Sequence, residues 1–282
     1  MRPLDQYIKD QLNFHLDQLE GILKADVMAI LSPIIPGLEI LVRDAIEKKE
    51  SRKESLAIVL ETPGGIVEVV ERMVDTIRHH YNDVAFIVPN RAMSAGTVFV
   101  MSGDQIMMDY FSRLGPIDPQ IEKDGKLVPA LSYLNQYDRL NEKARNGELT
   151  TAEYALLTKL DLGELHQFEQ ARVLSMELLK KWLTRYKFKN WKTTEARKIE
   201  VTEKMKEERA EEIAGELSNP ERWHSHGRGI GKETLTEELN LKIRDFSEIN
   251  GLKSPLISYF ELMQDYMFRQ EMSVFVHTRE YF

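Results

Sequence analysis

The stretch that decides the fold runs from residue 56 to residue 97 and reads LAIVLETPGGIVEVVERMVDTIRHHYNDVAFIVPNRAMSAGT. It contains two continuous apolar runs, Leu56–Leu60 and Val84–Val88, which are typical of strands covered on both faces. Between them, residues 67–81 carry apolar side chains at helical spacing, with Val70, Met73, Val74 and Ile77 facing inward. The order strand, helix, strand predicts a parallel sheet with helices packed on its faces.

The pattern continues on both sides of this stretch. It predicts an N-terminal helix over 4–24, a strand over 26–32, a helix over 36–46, a strand over 105–108, helices over 235–241 and 255–269, and a terminal strand over 273–282. From 131 to 217 the pattern is almost wholly helical. Within it, the charge-rich stretch 193–216 predicts a solvated helix, with a partner-binding arm as the alternative. We therefore expect one α/β domain, 1–282, with a mostly parallel sheet and a mostly helical insert at about 131–217.

Composition removes several classes of function. The 282 residues contain no cysteine, which excludes disulfides, thiolate catalysis and Cys-ligated metal sites. The net charge of −8 disfavours nucleic acid as a partner, because non-specific binding to phosphates needs a basic excess. The most apolar early stretch, 27–42, contains two prolines and a glutamate and is too short for a membrane span. With no signal peptide visible at the N-terminus, we expect a cytoplasmic protein that is not an integral membrane protein.

Two turns of small residues mark the place where chemistry is most plausible. TPGG (62–65) and MSAGT (93–97) both follow apolar strands, and open α/β sheets bind ligands at the carboxyl ends of their strands. Gly64 and Gly65 allow a backbone N–H to approach a ligand, while Ser94 stands near a helix N-terminus, which favours an anionic oxygen. A serine hydroxyl facing a glycine N–H predicts a nucleophile and an oxyanion hole. The alternative is that Ser94 only caps the helix that follows it.

The same segment carries a family resemblance. Residues 58–120, which include ETPGG, MSAGT and GPIDPQ, resemble the ClpP/signal-peptide-peptidase-A superfamily and are most similar to the serine dehydrogenase proteinase family. The tail HSHGRGI…LTEELNL (224–241) extends the similarity. The resemblance implies a ClpP/crotonase-like fold, hydrolysis of a peptide or protein substrate without a metal or an organic cofactor, and assembly into a homo-oligomer.

The resemblance also implies roles for individual residues. Ser94 falls on the family's nucleophile, and Gly65 and Ala95 fall on the two backbone donors of the oxyanion hole. Asp118 occupies the early position, 24 residues after the serine, and His226 lies in the late loop. The implied triad has His226 as the base and Asp118 as the group that orients it, since triads are defined by geometry and not by order along the chain.

Other interpretations remain open at this point. Related signal-peptide peptidases use a lysine base, for which Lys143 is the candidate here, although its polar surroundings favour a solvated surface lysine. His224 and His226 have no nearby acidic ligand, so we expect no metal site. Gly64 and Gly65 are the expected substrate-binding residues. The alternatives to a peptidase are a non-catalytic oligomeric scaffold of the same fold and a crotonase-type acyl thioester enzyme.

Overall fold

A five-stranded sheet forms the centre of the molecule. The computed structural model describes residues 2–117, 120–123, 126–194, 198–225 and 227–282. The strands are β1 (Asp26–Leu31), β2 (Ser55–Glu61), β3 (Asp83–Ile87), β4 (Arg91–Ala92), β5 (Gln105–Met107), β6 (Arg113–Leu114), β7 (Gln120–Lys123), β8 (Lys126–Pro129) and β9 (Phe275–His277). The central sheet has the order β5-β3-β2-β1-β9, in which β9 alone runs antiparallel to its neighbour. The predicted α/β class with a mostly parallel sheet is confirmed.

Helices cover both faces of this sheet. They are α1 (Pro3–Leu23), α2 (Leu38–Glu47), α3 (Val67–His80), α4 (Ala95–Val100), α5 (Ala130–Arg145), α6 (Thr151–Leu157), α7 (Leu162–Trp182), α8 (Glu203–Leu217), α9 (Pro220–Trp223) and α10 (Lys253–Arg269), with π-helical turns at Leu183–Lys187 and Thr234–Glu238 and a 3-10 turn at Phe246–Glu248. Among the described residues, no helix combines the length and the apolar character needed to cross a membrane.

The strands are apolar throughout because each buries both of its faces. In β2, Ile58 and Leu60 pack into the core shared with α2, α3, α4, α7 and α8, whereas Ala57 and Val59 pack into the core shared with α1 and α10. Successive side chains of a strand point to opposite faces, so a strand between two helical layers needs apolar residues at every position. This explains the continuous runs that identified β2 and β3 in the sequence.

A second, smaller set of pairings brings the ends of the central strands together. β4 pairs in parallel with β6, and a bridge between Thr62 and Ala92 joins β4 to the end of β2. On the other side of β6, Leu114 pairs in antiparallel fashion with Ile230. These short pairings stack the 62–65 turn, the approach to Ser94 and the 113–117 segment beside one another.

Two expectations drawn from the sequence are wrong, and one pair of strands was not predicted. Helix α8 begins only at Glu203, where the Thr202 side chain accepts a hydrogen bond from the Met205 N–H, and residues 188–194 and 198–202 are not helical. The C-terminal strand has three residues instead of ten, because Thr278 and Tyr281 form a tight turn through reciprocal backbone hydrogen bonds. The β7–β8 pair was not foreseen, since its sequence has no alternating apolar pattern.

Candidate active site

Ser94 lies in a strained turn between β4 and α4. Its backbone has φ +51° and ψ −116°, a positive-φ conformation outside the left-handed helical region that a residue with a Cβ rarely adopts. Such strain persists only where the surroundings over-determine it, and it is concentrated at functional sites. Within the described part of the chain, the Ser94 side chain makes no capping hydrogen bond to α4. The alternative interpretation of Ser94 as a simple helix cap is therefore not supported.

Glycines allow two other segments to pack directly on this turn. A Cβ atom built on Gly64 would lie 2.9 Å from the Ser94 Cβ and 2.7 Å from the Met93 carbonyl oxygen. A Cβ atom on Gly115 would lie 2.9 Å from the Ser94 backbone nitrogen. All three distances are too short for any side chain, so the 62–65 turn and the 113–117 segment approach Ser94 as bare backbone.

Gly65 is held by backbone hydrogen bonds to the loop after β1. The Ile34 N–H donates to the Gly64 carbonyl over 2.8 Å, and the Ile66 N–H donates to the Ile34 carbonyl over 2.9 Å. Gly65 has φ +146°, which suits glycine. Among the described residues, no acceptor takes a hydrogen bond from the N–H of Gly65 or of Ala95. These two donors, predicted for an oxyanion hole, therefore have capacity for a ligand oxygen.

Polar side chains fix the segments around the turn. The Thr62 hydroxyl accepts from the Gly64 N–H over 3.1 Å. The Glu61 carboxylate accepts from the Arg91 N–H, the Arg91 Nε and the Asn90 side-chain amide over 3.0 to 3.2 Å. Burial raises the pKa of Glu61, and the hydrogen bonds from Arg91 oppose that rise. Together these contacts anchor the end of β2 to the chain that leads into Ser94.

The two other predicted triad members, Asp118 and His226, lie outside the described residues. Two described residues near them in the sequence are paired: Leu114 pairs with Ile230 in antiparallel fashion. Asp118 is four residues after Leu114, and His226 is four residues before Ile230. The chain that leads to Asp118 and the chain that leads away from His226 are therefore paired at Leu114 and Ile230.

Lys143, the alternative base, is engaged elsewhere. Its Nζ lies 2.6 Å from the Glu153 carboxylate, and this hydrogen bond is the largest cause that lowers the pKa of Glu153, to about 2. Lys143 thus already forms an ion pair with a carboxylate that is not part of the Ser94 turn. In the described part of the chain, no group of three or more His, Asp or Glu side chains could hold a metal ion.

Thr97 is a polar residue of this site that the sequence did not single out. Its buried hydroxyl contacts Ala92 and Gly115, which lie on either side of the Ser94 turn. In the sequence it is one more residue of a small-residue turn, and nothing in its spacing predicts those contacts. Only the observed approach of the 113–117 segment reveals them.

Comparison with known proteins gives relatives over part of the chain. Two uncharacterized proteins of Methanocaldococcus jannaschii match it, MJ1495 with 30% identity over 111 residues and MJ0137 with 34% identity over 105 residues. These matches cover 39% and 37% of this chain but only 36% and 35% of the relatives, so the chain spans about a third of their length. Among solved structures, a serine-to-alanine mutant of the membrane-bound stomatin-specific protease 1510-N is similar, with 14% identity, a TM-score of 0.45 and coverage of 79% of this chain and 80% of that one.

The family comparison covers more of the chain. The model for ClpP-like SDH-type serine proteinases matches residues 38–197, which is more than half of the sequence. The matched range contains the 62–65 turn, Ser94 and its strained turn, and the helices α5 to α7; the late loop that carries His226 lies beyond it. This agrees with the resemblance drawn from the ETPGG and MSAGT motifs. The chain belongs to the family of ClpP-like SDH-type serine proteinases.

Proposed function

We propose that this chain is a serine peptidase that hydrolyses peptide bonds in peptide or protein substrates, with Ser94 as the nucleophile. The observation that carries the proposal is the strained backbone of Ser94, at a strand-to-helix turn packed against Gly64. A serine held in such a turn presents its hydroxyl away from the strand that precedes it. The family membership independently supports serine proteinase chemistry.

The oxyanion hole of this proposal is formed by backbone alone. When the Ser94 hydroxyl oxygen attacks a peptide carbonyl, the carbonyl oxygen gains negative charge. The N–H groups of Gly65 and Ala95, which have no acceptor among the described residues, are the donors that stabilise it. Gly64 and Gly65 also form the wall on which the substrate backbone rests.

Proton transfer completes the mechanism. His226 accepts the proton of the Ser94 hydroxyl and passes it to the leaving amine, while Asp118 orients the imidazole. Water then attacks the acyl-enzyme with His226 again as the base, which releases the acid product and regenerates the serine. Support for pairing Asp118 with His226 comes from the Leu114–Ile230 pairing, four residues from each. No metal or organic cofactor enters any step.

Access to the nucleophile requires movement. Ser94 is fully buried, with 0% of its surface exposed. A substrate carbonyl can therefore reach the hydroxyl only after Ser94 becomes exposed. We expect substrate binding to open this closed arrangement, and small reactive probes to enter more readily than folded proteins.

A fluorophosphonate probe tests the assignment directly. It should label the wild-type protein at Ser94, and Ser94→Ala should abolish both labelling and peptide hydrolysis, with a loss on the order of 10⁶-fold if Ser94 acts within a triad. Ser102→Ala is a matched control, because Ser102 is also buried and its hydroxyl donates to the Phe99 carbonyl near the far end of α4. Full hydrolysis by a pure Ser94→Ala protein would rule out this nucleophile. An unlabelled wild type would favour a scaffold or an acyl thioester enzyme.

The remaining features of the whole protein are proposals of the same kind. We propose that residues 1–282 form a single ClpP/crotonase-like domain with a helical insert, that copies of the chain form a homo-oligomer, and that the protein acts in the cytoplasm. Nucleic acid is not among the proposed partners.

A further inference from the structure

Thr97 is hydrogen-bonded to the Ser94 turn and to the segments on both sides of it. It is fully buried one helical turn after Ser94, and its N–H donates to the Ser94 carbonyl over 2.8 Å. Its hydroxyl accepts a hydrogen bond from the Gly115 N–H over 3.0 Å. The same hydroxyl lies 2.8 Å from the Gly115 carbonyl oxygen and 3.0 Å from the Ala92 carbonyl oxygen, both of which can accept its proton.

These contacts converge on the two segments that bracket Ser94. Ala92 ends the short strand two residues before the serine, and Gly115 packs against the Ser94 backbone nitrogen. A hydroxyl has one proton and two lone pairs, so it can bind an N–H and a carbonyl at once. A methyl group of the same size can bind neither. The hydroxyl of Thr97 therefore ties the chain before Ser94 to the chain packed on it.

We propose that Thr97 is a positioning residue for hydrolysis at Ser94. It acts through Ala92 and Gly115 to hold the strained serine conformation and to fix the 113–117 segment, which leads to Asp118. A strained backbone persists only when its surroundings over-determine it, and these hydrogen bonds supply that constraint. The inference rests on the proposed peptidase function, because it assigns Thr97 a role in that reaction and no chemistry of its own.

The test uses Thr97→Val, which keeps the shape of the side chain and removes the hydroxyl. Because misplacement of a reacting group by about 1 Å costs on the order of 10²-fold in rate, we expect kcat to fall by about that factor. KM and the midpoint of the pH–rate profile should stay near the wild-type values, because neither the substrate contacts nor the base is altered. Thr97→Ser, which retains the hydroxyl, should restore kcat.

A matched control separates this role from the general effect of replacing a threonine. Thr76→Val removes a hydroxyl that donates to the Arg72 carbonyl within α3, and it should leave kcat unchanged. If Thr97→Val does not fold, Thr97→Ser and Thr97→Ala replace it as the deciding pair, since both lose the methyl group and only the second loses the hydroxyl. A much lower kcat for the alanine variant than for the serine variant supports the proposal.

The outcomes distinguish failure of the proposed peptidase function from failure of the proposed role of Thr97. If the wild-type protein neither hydrolyses peptides nor reacts with the fluorophosphonate, the peptidase function fails and the role of Thr97 fails with it. If the wild type is active and folded Thr97→Val has the same kcat, only the role of Thr97 is overturned. A variant in which KM rises while kcat is unchanged also overturns it, because Thr97 would then act on binding.

Discussion

At the scale of single residues, Gly65 is the position where a side chain should be least tolerated. A Cβ atom there would lie 2.1 Å from the Ile34 carbonyl oxygen, and its φ of +146° is strained for any other residue. We expect Gly65→Ala to lower the free energy of unfolding by about 3 kcal/mol or more, from overpacking and backbone strain together. Urea denaturation measures this loss, and peptide hydrolysis should be lost with it.

Gly37 provides the control for Gly65. It also has a positive φ, +97°, but a Cβ atom built on it meets no atom within 4 Å. Gly37→Ala therefore carries only the backbone cost, roughly 1–2 kcal/mol. Equal losses for the two variants would mean that the contact with Ile34 is not as tight as the structure has it.

The identity of the base is a second question at this scale. If His226 is the base, activity should rise with pH through an apparent pKa near 6.5, because only the neutral imidazole can accept the Ser94 proton. His226→Ala should remove most activity, while Lys143→Ala should change little, since Lys143 is paired with Glu153. The pH–rate curve of the wild type and the two alanine variants decide between the bases.

The opposite pattern would require a different mechanism. An active His226→Ala protein beside an inactive Lys143→Ala protein would replace the triad by a Ser–Lys dyad, with an activity profile shifted toward alkaline pH. If both variants remain active, Asp118 or another group carries the proton.

The sequence was sufficient to identify Ser94 and Gly65 as candidate site residues, because small residues that follow apolar strands can be recognised from the order of residues alone. It was not sufficient for Thr97, Glu61 or Gly115. Their roles depend on which carbonyl and N–H groups from distant segments lie beside them, and that follows from the pairing of β4 with β6. Short pairings of two residues leave no periodic pattern in a sequence.

At the scale of elements, His277 links the C-terminal strand β9 to helix α10. Its Nδ1 lies 2.6 Å from the Tyr259 hydroxyl of α10, and its Nε2 has no hydrogen-bond partner among the described residues. Burial, with a smaller contribution from the positive charge of Lys9, lowers the pKa of His277 to about 3. The native protein therefore keeps this imidazole neutral in mildly acidic solution.

This burial predicts a loss of stability in acid. Below a pH of about 6.5 the unfolded chain binds a proton at His277 that the native protein does not, so the free energy of unfolding falls as the pH falls from about 6.5 toward 3. The contribution is at most about 1.4 kcal/mol per pH unit. In denaturation curves between pH 4 and pH 6, His277→Phe should show a shallower pH dependence than the wild type. An unchanged slope would mean that His277 is protonated in the native state.

Elements were predictable where burial alone sets the pattern. β2, β3, α1 and α3 lie within a residue or two of their predicted ends, because each has a continuous or periodic apolar pattern. The start of the helix in the charge-rich stretch 193–216 was not predictable, because charged residues are common both in exposed helices and in solvated loops. There the Thr202 cap decides where α8 starts. The terminal strand was overestimated because the chain turns at Thr278 and Tyr281, and Phe282 packs back on Phe275 of β9 instead of extending the strand.

At the scale of the whole molecule, helix α6 leaves most of its apolar side chains exposed. Helix α6 is rich in apolar residues, yet none of its residues is buried. Tyr154 and Leu156 are 60% and 58% exposed, and Leu162 at the start of α7 is 72% exposed. Exposed large apolar side chains are candidates for a protein–protein contact site. The family resemblance implies a homo-oligomer, and the three-residue strand β9 offers only a short edge to another chain.

We therefore expect the proposed homo-oligomer to use α6. Light scattering of the wild type should give a mass at least three times the 32.8 kDa of one chain. Replacing Tyr154 and Leu156 together by glutamate should lower that mass, because charges buried at an interface without partners are costly. Leu4→Glu, at a side chain of equal exposure on α1, should leave it unchanged. A wild-type monomer at micromolar concentration would contradict the oligomer. An assembly that survives the α6 substitutions and dissociates with Leu4→Glu would place the interface on α1 instead.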